Sequence, residues 1–354
     1  MASGTPYLSV VVIFHKRLHF LREAVESVLS QSPAEEVEVL IVGPALPDPV
    51  ADLLGSGKAT FHECRDTSLG AKVARGIERA RGEVIAFLED DDRFAKGKVD
   101  RLLTRFRSNP RLGYFQNGFT PIDSRGRPFP GGFDKRLFMQ RWSRVGQVTL
   151  TGRSVDHRFR SLASIPVSHN LSSISVRRGI VAGRTELVVR SGFAIDLSIF
   201  TIAFLASSFE LVFDPTLLTE LRVHDTLSNP LNQEELAIVS NLAWSGRHVL
   251  LQFVESEGTG DAARVWQGMT AVGDLNHYLR VPRAPRGEFG RLFVLGCSRW
   301  DTFAVRTHWP ILTLSLLASL TPRLGHRAYL AVRKVAVALP ARDEDPHSLH
   351  PPGG

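Results

Sequence analysis

Cysteine is nearly absent from this 354-residue chain: Cys64 and Cys297 lie far apart, and neither belongs to a CxxC pair or a Cys/His cluster. That argues against a disulfide framework and a structural zinc site, and it suits a reducing cytosol. Long apolar runs are also lacking. A membrane-crossing helix needs about 18 or more consecutive apolar residues. The nearest approach, WPILTLSLLASL at 309–320, is shorter and gives way to Pro322 and Arg323. The opening stretch MASGTPYLSVVVIFHKR has no basic segment ahead of its apolar run, so the run reads as a strand rather than a signal peptide. Zinc-finger spacing, an aromatic RNA-binding signature and blocks of basic residues are all missing. The formal charge of +7 is therefore no argument for nucleic acid.

What is present is an ordinary globular composition, 43% hydrophobic and 22% charged, in a chain longer than one typical domain. The first 120 residues alternate strand and helix signals. LSVVVIF (8–14), VEVLIVG (37–43), ATFHEC (59–64), EVIAFL (83–88) and LGYFQNG (112–118) read as strands. Helical spacing relates Leu18, Leu21, Val25, Val28 and Leu29, then Leu69, Val73, Ile77 and Ala80, then Val99, Leu102, Leu103 and Phe106. Such alternation predicts an α/β fold with a mainly parallel sheet covered by helices on both faces. Farther on, SSISVRR (172–178) reads as a strand, FAIDLSIFTIAFLASS (193–208) as an apolar helix, and 209–228 as two strands and a polar loop. SRGRPFPGGFDKR (124–136) has the composition of a loop. Helical segments dominate from Asn232 to about Leu339, and the tail ARDEDPHSLHPPGG reads as disordered. LLGSGKAT (53–60) imitates a phosphate-binding loop, but Asp52 stands where its first glycine is required and Ala59 where its hydroxyl is required.

The chemistry concentrates in GEVIAFLEDDDRF (82–94), where a buried strand runs into Glu89, Asp90, Asp91 and Asp92. Ligands of open α/β sheets bind beyond the carboxyl ends of the strands. Clustered carboxylates at that place suit Mg²⁺ or Mn²⁺, which would relieve their mutual repulsion. Asp92 is also a candidate cap for the following helix. Asp196 is the only ionisable residue between Arg190 and Glu210, at the start of an apolar helix, so it is either a helix cap or a functional acid.

Taken in order, SVVVIFHKRLHFLREAVESVLSQ, GIERARGEVIAFLEDDDRF, the Asp196 helix and LRVHDTLS make the chain resemble the family-2 glycosyltransferases over roughly residues 8–228. The resemblance implies a GT-A fold, with a mainly parallel mixed sheet and a C-terminal helical appendage. It also implies an inverting, metal-dependent transfer of a sugar from a nucleoside-diphosphate donor to a hydroxyl, or lipid phosphate, of a glycan or lipid-linked acceptor. By it the acidic run is the family's DXD-type motif. Asp91 is then the main ligand of Mg²⁺ or Mn²⁺, with Glu89 or Asp90 near the ribose or a water on the metal. Asp196 becomes the catalytic base, with Asp225 and Glu220 in reserve. His224 approaches the metal or diphosphate, and Arg222 orients the loop or contacts diphosphate.

The sequence departs from that pattern at two strand ends. Ile13-Phe14-His15-Lys16-Arg17 replaces a Pro-Thr-Tyr-Asn-Arg-like run, leaving Phe14 and His15 to stack on a base and Arg17 to meet the donor. Gly43 and Pro44 replace paired aspartates, so Asp66 is the substitute acceptor and Lys72 a phosphate contact. Arg177 and Arg178 close a strand and are candidates for diphosphate or an anionic acceptor.

The expected organisation is a catalytic unit over 1–230, a helical region over 231–340 and a disordered tail over 341–354. Between Trp309 and Leu339 apolar residues interleave with Arg323, Arg327, Arg333 and Lys334. That suits a helix on the inner membrane face, and equally one that packs on the catalytic domain or joins a homo-oligomer. A sugar-nucleotide-forming nucleotidyltransferase is the competing enzyme reading, although FHKRLHFLRE lacks its glycine-rich loop. A non-catalytic sugar-nucleotide binder is the third.

Overall fold

The computed structural model describes residues 4–14, 17–31, 35–129, 139–140, 142–151, 170–223, 233–257, 260–280, 286–298, 309–321 and 323–328. Nine strands form one sheet: β1 (Leu8–Ile13), β2 (Val37–Gly43), β3 (Thr60–Glu63), β4 (Val84–Glu89), β5 (Arg93–Phe94), β6 (Leu112–Ile122), β7 (Val148–Thr151), β8 (Ile174–Arg177) and β9 (Glu210–Arg222). The helices are α1 (Leu18–Leu29), α2 (Ala51–Gly55), α3 (Leu69–Arg79), α4 (Lys98–Ser108), α5 (Arg178–Val181), α6 (Thr185–Arg190), α7 (Ile195–Leu205), α8 (Gln233–Glu257), α9 (Gly260–Arg280), α10 (Arg286–Ser298) and α11 (Trp309–Leu320).

The strand order is β3-β2-β1-β4-β8-β6-β9-β5, with β7 paired to β9. The first four are parallel, as expected of near-continuous apolar runs joined by helices. Side chains alternate between faces along each strand. Val11 and Ile13 of β1, with Ile85 and Phe87 of β4, enter one core that α3 and α7 cover. Val10 and Val12, with Val84, Ala86 and Leu88, enter the other, covered by α1 and α4. The register pairs Ile13 with Glu89, so the ends of β1 and β4 lie side by side.

β8 then enters antiparallel to both β4 and β6. Its far end, Arg177, is therefore opposite Val84, at the beginning of β4 rather than its end. The two strands expected within 209–228 are a single one. Pro215 has no N–H to give a neighbouring strand, and Asp214 accepts from the Thr216 N–H (3.0 Å) instead. The pairing steps from Asn117–Asp214 to Gly118–Leu217 and then resumes to Arg222. The chain bulges without ending the strand. The 53–60 stretch is the end of α2 and an exposed turn ahead of β3.

The α8 and α9 helices pack on this sheet unit. Leu250, Val254, Ala262 and Trp266 join the core that holds Val11 and Phe87. Trp266 stacks on Phe200 of α7 (5.8 Å between centroids, 9° between planes), and Phe200 meets Tyr114 of β6 edge-on at 5.9 Å. A smaller cluster, including Leu275, Phe289, Leu292 and Ala318, joins α9, α10 and α11. Among the described residues no helix is long and apolar enough to cross a membrane.

Gly246 of α8 lies flat on the turn that leads into α7, where a β-carbon would collide with the Ser191 carbonyl oxygen and the Ala194 side chain. Gly246→Ala should lower stability by about 1–3 kcal/mol, because the overpacking outweighs the gain in helix propensity. Gly287→Ala, whose β-carbon meets nothing within 4 Å, should leave stability unchanged or slightly higher. Denaturant melts of the two variants against wild type measure the contrast.

Candidate active site

The acidic run leaves β4 through a tight turn in which the Asp92 N–H donates to the Glu89 carbonyl (3.2 Å). Asp90, Asp91 and Asp92 are only 5%, 8% and 2% exposed. Burial pushes the Glu89 carboxyl well above the usual carboxylate range, and the charges of Asp91, Asp92, Asp90 and Asp196 push it the same way. A cluster this short of water needs fixed cationic partners.

Arg222, at the end of β9, is the partner that shapes the turn. Its side chain is completely buried. Nε donates to the Asp91 carbonyl (2.8 Å), Nη1 to the carbonyls of Asp123 (3.1 Å) and Ser124 (2.9 Å), and Nη2 to Glu23 Oε2 (2.8 Å). Its backbone N–H donates to Asp92 Oδ1 (2.9 Å), and its guanidinium sits 4.0 Å over the Phe20 ring. Arg222 thus braces the turn through backbone carbonyls, and its burial leaves no room for the expected direct contact with a diphosphate. Asp92 corrects another expectation. It binds the Arg222 N–H, whereas α4 begins after Gly97 (φ 81°) with no side-chain cap.

A second turn, Asn170–Ser173, ties the acidic run to α7. Ser172 Oγ accepts from the Glu89 N–H (3.0 Å), and the Asn170 N–H reaches the Asp196 carboxylate. Asn170 has φ 68°, the one described non-glycine residue with positive φ, and its own side chain accepts from the Ser172 N–H (2.9 Å). The turn is held from below by Lys98, whose Nζ donates to the Ser172 carbonyl (2.6 Å) and to Thr219 Oγ1 (2.9 Å). Burial pulls the Lys98 ammonium well below its ordinary pKa, against the pull of Asp92.

Asp196 lies in the first turn of α7, but Ala194 holds the cap position and no side chain caps the helix. Its carboxylate accepts from the Leu197 N–H (2.8 Å). Burial raises its pKa to about 6, against the lowering effect of backbone N–H groups.

The other expected residues divide clearly. Arg17 donates from Nη1 to Asp91 Oδ2 and lies 3.7 Å from Asp90 Oδ1. Lys72 is buried on α3, donates to the Thr67 carbonyl (3.2 Å), and feels the charges of Asp66 and Asp90. Asp66 is exposed and accepts from the Ser68 N–H (2.7 Å), which lowers its pKa and shapes the entry to α3. Phe14 is not a stacking platform. It is buried against Gly43 and 6.4 Å from Phe61, because the absence of a side chain at Gly43 leaves room that the ring fills.

Arg177 and Arg178 are at the opposite end of the sheet, since β8 runs antiparallel to β4. Arg177 donates to the carbonyls of Leu112 (2.7 Å) and Phe106 (3.0 Å) and pairs with Glu83, while Arg178 donates to the Gly82 carbonyl (2.9 Å). Neither can serve a diphosphate beyond β4. Glu220 is paired with Arg93 (2.7 Å). His15, His224 and Asp225 lie outside the described residues.

Sequence reasoning missed Lys98, Asn170, Ser172 and Thr219. Lys98 had a signal, because it shares the four-residue spacing of Leu102 and Phe106 and so falls on the buried stripe of α4. Among the described residues no three His, Cys, Asp or Glu side chains converge as a metal cage. Two carboxylates, Asp90 and Asp91, facing one arginine suit an ion that takes most of its shell from water and phosphate oxygens, the habit of Mg²⁺.

Residues 9–159 match glycosyl transferase family 2. That stretch is less than half of the chain, and over it the chain is similar to the family. An uncharacterized glycosyltransferase of Rickettsia felis is 29% identical over 125 residues, 34% of this chain and 20% of that protein. The putative teichuronic acid biosynthesis glycosyltransferase TuaG of Bacillus subtilis is 28% identical over 134 residues, 36% of this chain and 52% of that protein. The matches thus span about a fifth and about half of these curated relatives. The structure of S. aureus TarS superposes with a TM-score of 0.55 at 14% identity, covering 91% of this chain and 55% of that one. That likeness is one of fold: a GT-A-like mixed sheet flanked by helices, followed by a C-terminal helical region.

Replacing Arg222 by lysine keeps the charge but cannot satisfy three carbonyls and Glu23 together. Arg222→Lys should cost about 2–4 kcal/mol of stability, as for a broken buried charge network. Arg178→Ala should leave nucleotide binding unchanged. Denaturant melts and calorimetric titration with nucleoside diphosphates check the pair, and weaker nucleotide binding by Arg178→Ala would contradict the antiparallel placement of β8.

Proposed function

We propose that this protein is a family-2, inverting glycosyltransferase that moves a sugar from a nucleoside-diphosphate donor to a hydroxyl of a glycan or lipid-linked acceptor. The observation that carries the reading is the position of Asp196, a carboxylate in the first turn of α7 tied through the Asn170–Ser173 turn to the end of β4, where burial raises its pKa to about 6. A general base works best when its pKa lies near the working pH. Ionised Asp196 accepts the proton of the acceptor hydroxyl as that oxygen forms its bond to the anomeric carbon. The bond from that carbon to the donor phosphate breaks on the opposite face, and its electron pair leaves with the nucleoside diphosphate. The remote part of the donor is held over β1 and β4, where Arg17 supplies positive charge, while buried Lys72 stays on the Thr67 carbonyl. A Mg²⁺ or Mn²⁺ ion held chiefly by Asp91 would neutralise charge on the departing diphosphate.

Asp196→Asn should keep donor affinity while turnover falls about 10²–10⁴-fold. With wild type, activity should rise with pH through about 6, as Asp196 loses its proton, and then level off. The stability sign runs the other way. A carboxyl whose folded pKa lies above its unfolded value of 3.8 contributes stability below that value, and this is lost as pH rises through about 6. Asp196→Asn should therefore melt no lower than wild type at pH 7.5. Asp91→Asn should lose most metal-dependent donor binding and Asp92→Asn less. A screen of nucleotide sugars by metal-dependent thermal shift, followed by product analysis, tests the whole reading. An Asp196→Asn enzyme that is fully active on the true acceptor would overturn the assignment.

The acceptor's attachment to lipid is a separate element of the proposal. Val294 of α10, Leu316 of α11 and Leu324 are exposed, and so are Arg323 and Arg327. Apolar and basic side chains together suit an anionic membrane surface. The full chain should float with anionic liposomes at low salt and come off as salt is raised. A chain that stays in the soluble fraction at low salt would refute the attachment.

A further inference from the structure

Two arginines meet the acidic run, and they differ in a way that bears on how the site fills. Arg222 is fully buried and spends its guanidinium on fixed backbone carbonyls and Glu23. Arg17 is 37% exposed, precedes α1 without capping it, and its recorded side-chain partners are Asp91 and Asp90. Those two carboxylates are 12% and 8% exposed, so the arginine lies on their solvent side. A cation that binds Asp90 and Asp91 competes with the Arg17 guanidinium for their oxygens. Two positive groups cannot share the same carboxylate oxygens without strong repulsion.

We propose that Arg17 is the resident counter-ion of Asp90 and Asp91, which a divalent cation must displace and which the donor diphosphate then takes as its own partner. This deepens the reading of a metal-dependent, nucleotide-sugar site and rests on it. An ion pair whose guanidinium is partly exposed can be broken from the solvent side, and a guanidinium pairs with phosphate oxygens as well as with carboxylate. The metal alone must evict Arg17 and leave it without a partner. Metal and diphosphate together let Arg17 move from one set of oxygens to another. The two ligands consequently favour one another's binding, and by linkage the coupling is the same in either order.

The test is Mn²⁺ binding followed by electron paramagnetic resonance, with and without a panel of nucleoside diphosphates, at fixed ionic strength. Wild type should bind Mn²⁺ weakly alone and more tightly with the preferred diphosphate. Arg17→Gln should bind Mn²⁺ alone about two- to fivefold more tightly, the scale of a partly exposed ion pair, and should lose most of the coupling. Arg17→Lys, which keeps the positive charge, should stay close to wild type. Arg17→Gln with unchanged Mn²⁺ affinity in the absence of diphosphate, beside a wild type that binds both ligands, would overturn the inference and leave the metal-dependent reading standing. A wild type that binds no Mn²⁺ with any diphosphate would overturn both.

Discussion

Everything at the active end of this protein is arranged around one electrostatic difficulty: four carboxylates in sequence at the dry end of a parallel strand. Isolated ionised carboxyls in such a place cost several kcal/mol each, so they must be paired, hydrogen-bonded or protonated. The structure divides the solutions. Glu89 is pushed toward its protonated form, Asp92 accepts the Arg222 N–H, and Asp90 and Asp91 face Arg17. Arg222, reaching back across the sheet from β9, holds the turn that presents them. The length of β9 through its bulge thus has a function. It carries Arg222 far enough along the sheet to hold Asp91 and Asp92.

The same end of the sheet is braced from three further directions. Lys98 holds the Asn170–Ser173 turn, that turn holds Glu89 and Asp196, and Gly246 lets α8 lie against the approach to α7. The stack from Trp266 through Phe200 to Tyr114 links α9 to the sheet directly behind Asp196. The positive φ of Asn170 costs roughly 1–3 kcal/mol, which surrounding contacts must offset. Such strain persists where a backbone N–H has to point in one direction. Here it points at Asp196. The C-terminal helices are accordingly part of the scaffold that sets the position of that carboxylate.

Much of this was legible in the sequence wherever a local period or a strand end decided the matter. The apolar runs of β1, β2 and β4, the stripes of α1, α3 and α4, and the exit of the acidic run from β4 follow from side-chain geometry alone. What failed was strand direction. Arg177 and Arg178 end a strand, but no local pattern says that β8 enters antiparallel, which sends them to the amino end of β4. Phe14 failed for a related reason, since its burial depends on the hole left by Gly43 on the neighbouring strand. Pro215 signalled a break in β9, and only the partner strand shows it to be a bulge. These three misses concern contacts between strands distant in sequence, whereas Lys98 was missed despite lying on a local period.

The contrast between the arginines shows how the fold separates architecture from chemistry. Arg177 and Arg222 are both buried on the sheet, at opposite ends, and both donate chiefly to backbone carbonyls. A planar guanidinium with five donors suits that task, because it can satisfy several chain segments at once and needs no water. An arginine so used is committed to the scaffold. Arg17 is different because it stands on the loop after β1 and its charge is spent on side-chain carboxylates near solvent. A phosphate can compete for such a group, whereas it cannot compete for Arg222 without dismantling the turn. Exposure and partner type, rather than residue type, therefore mark which basic residue a nucleotide can recruit.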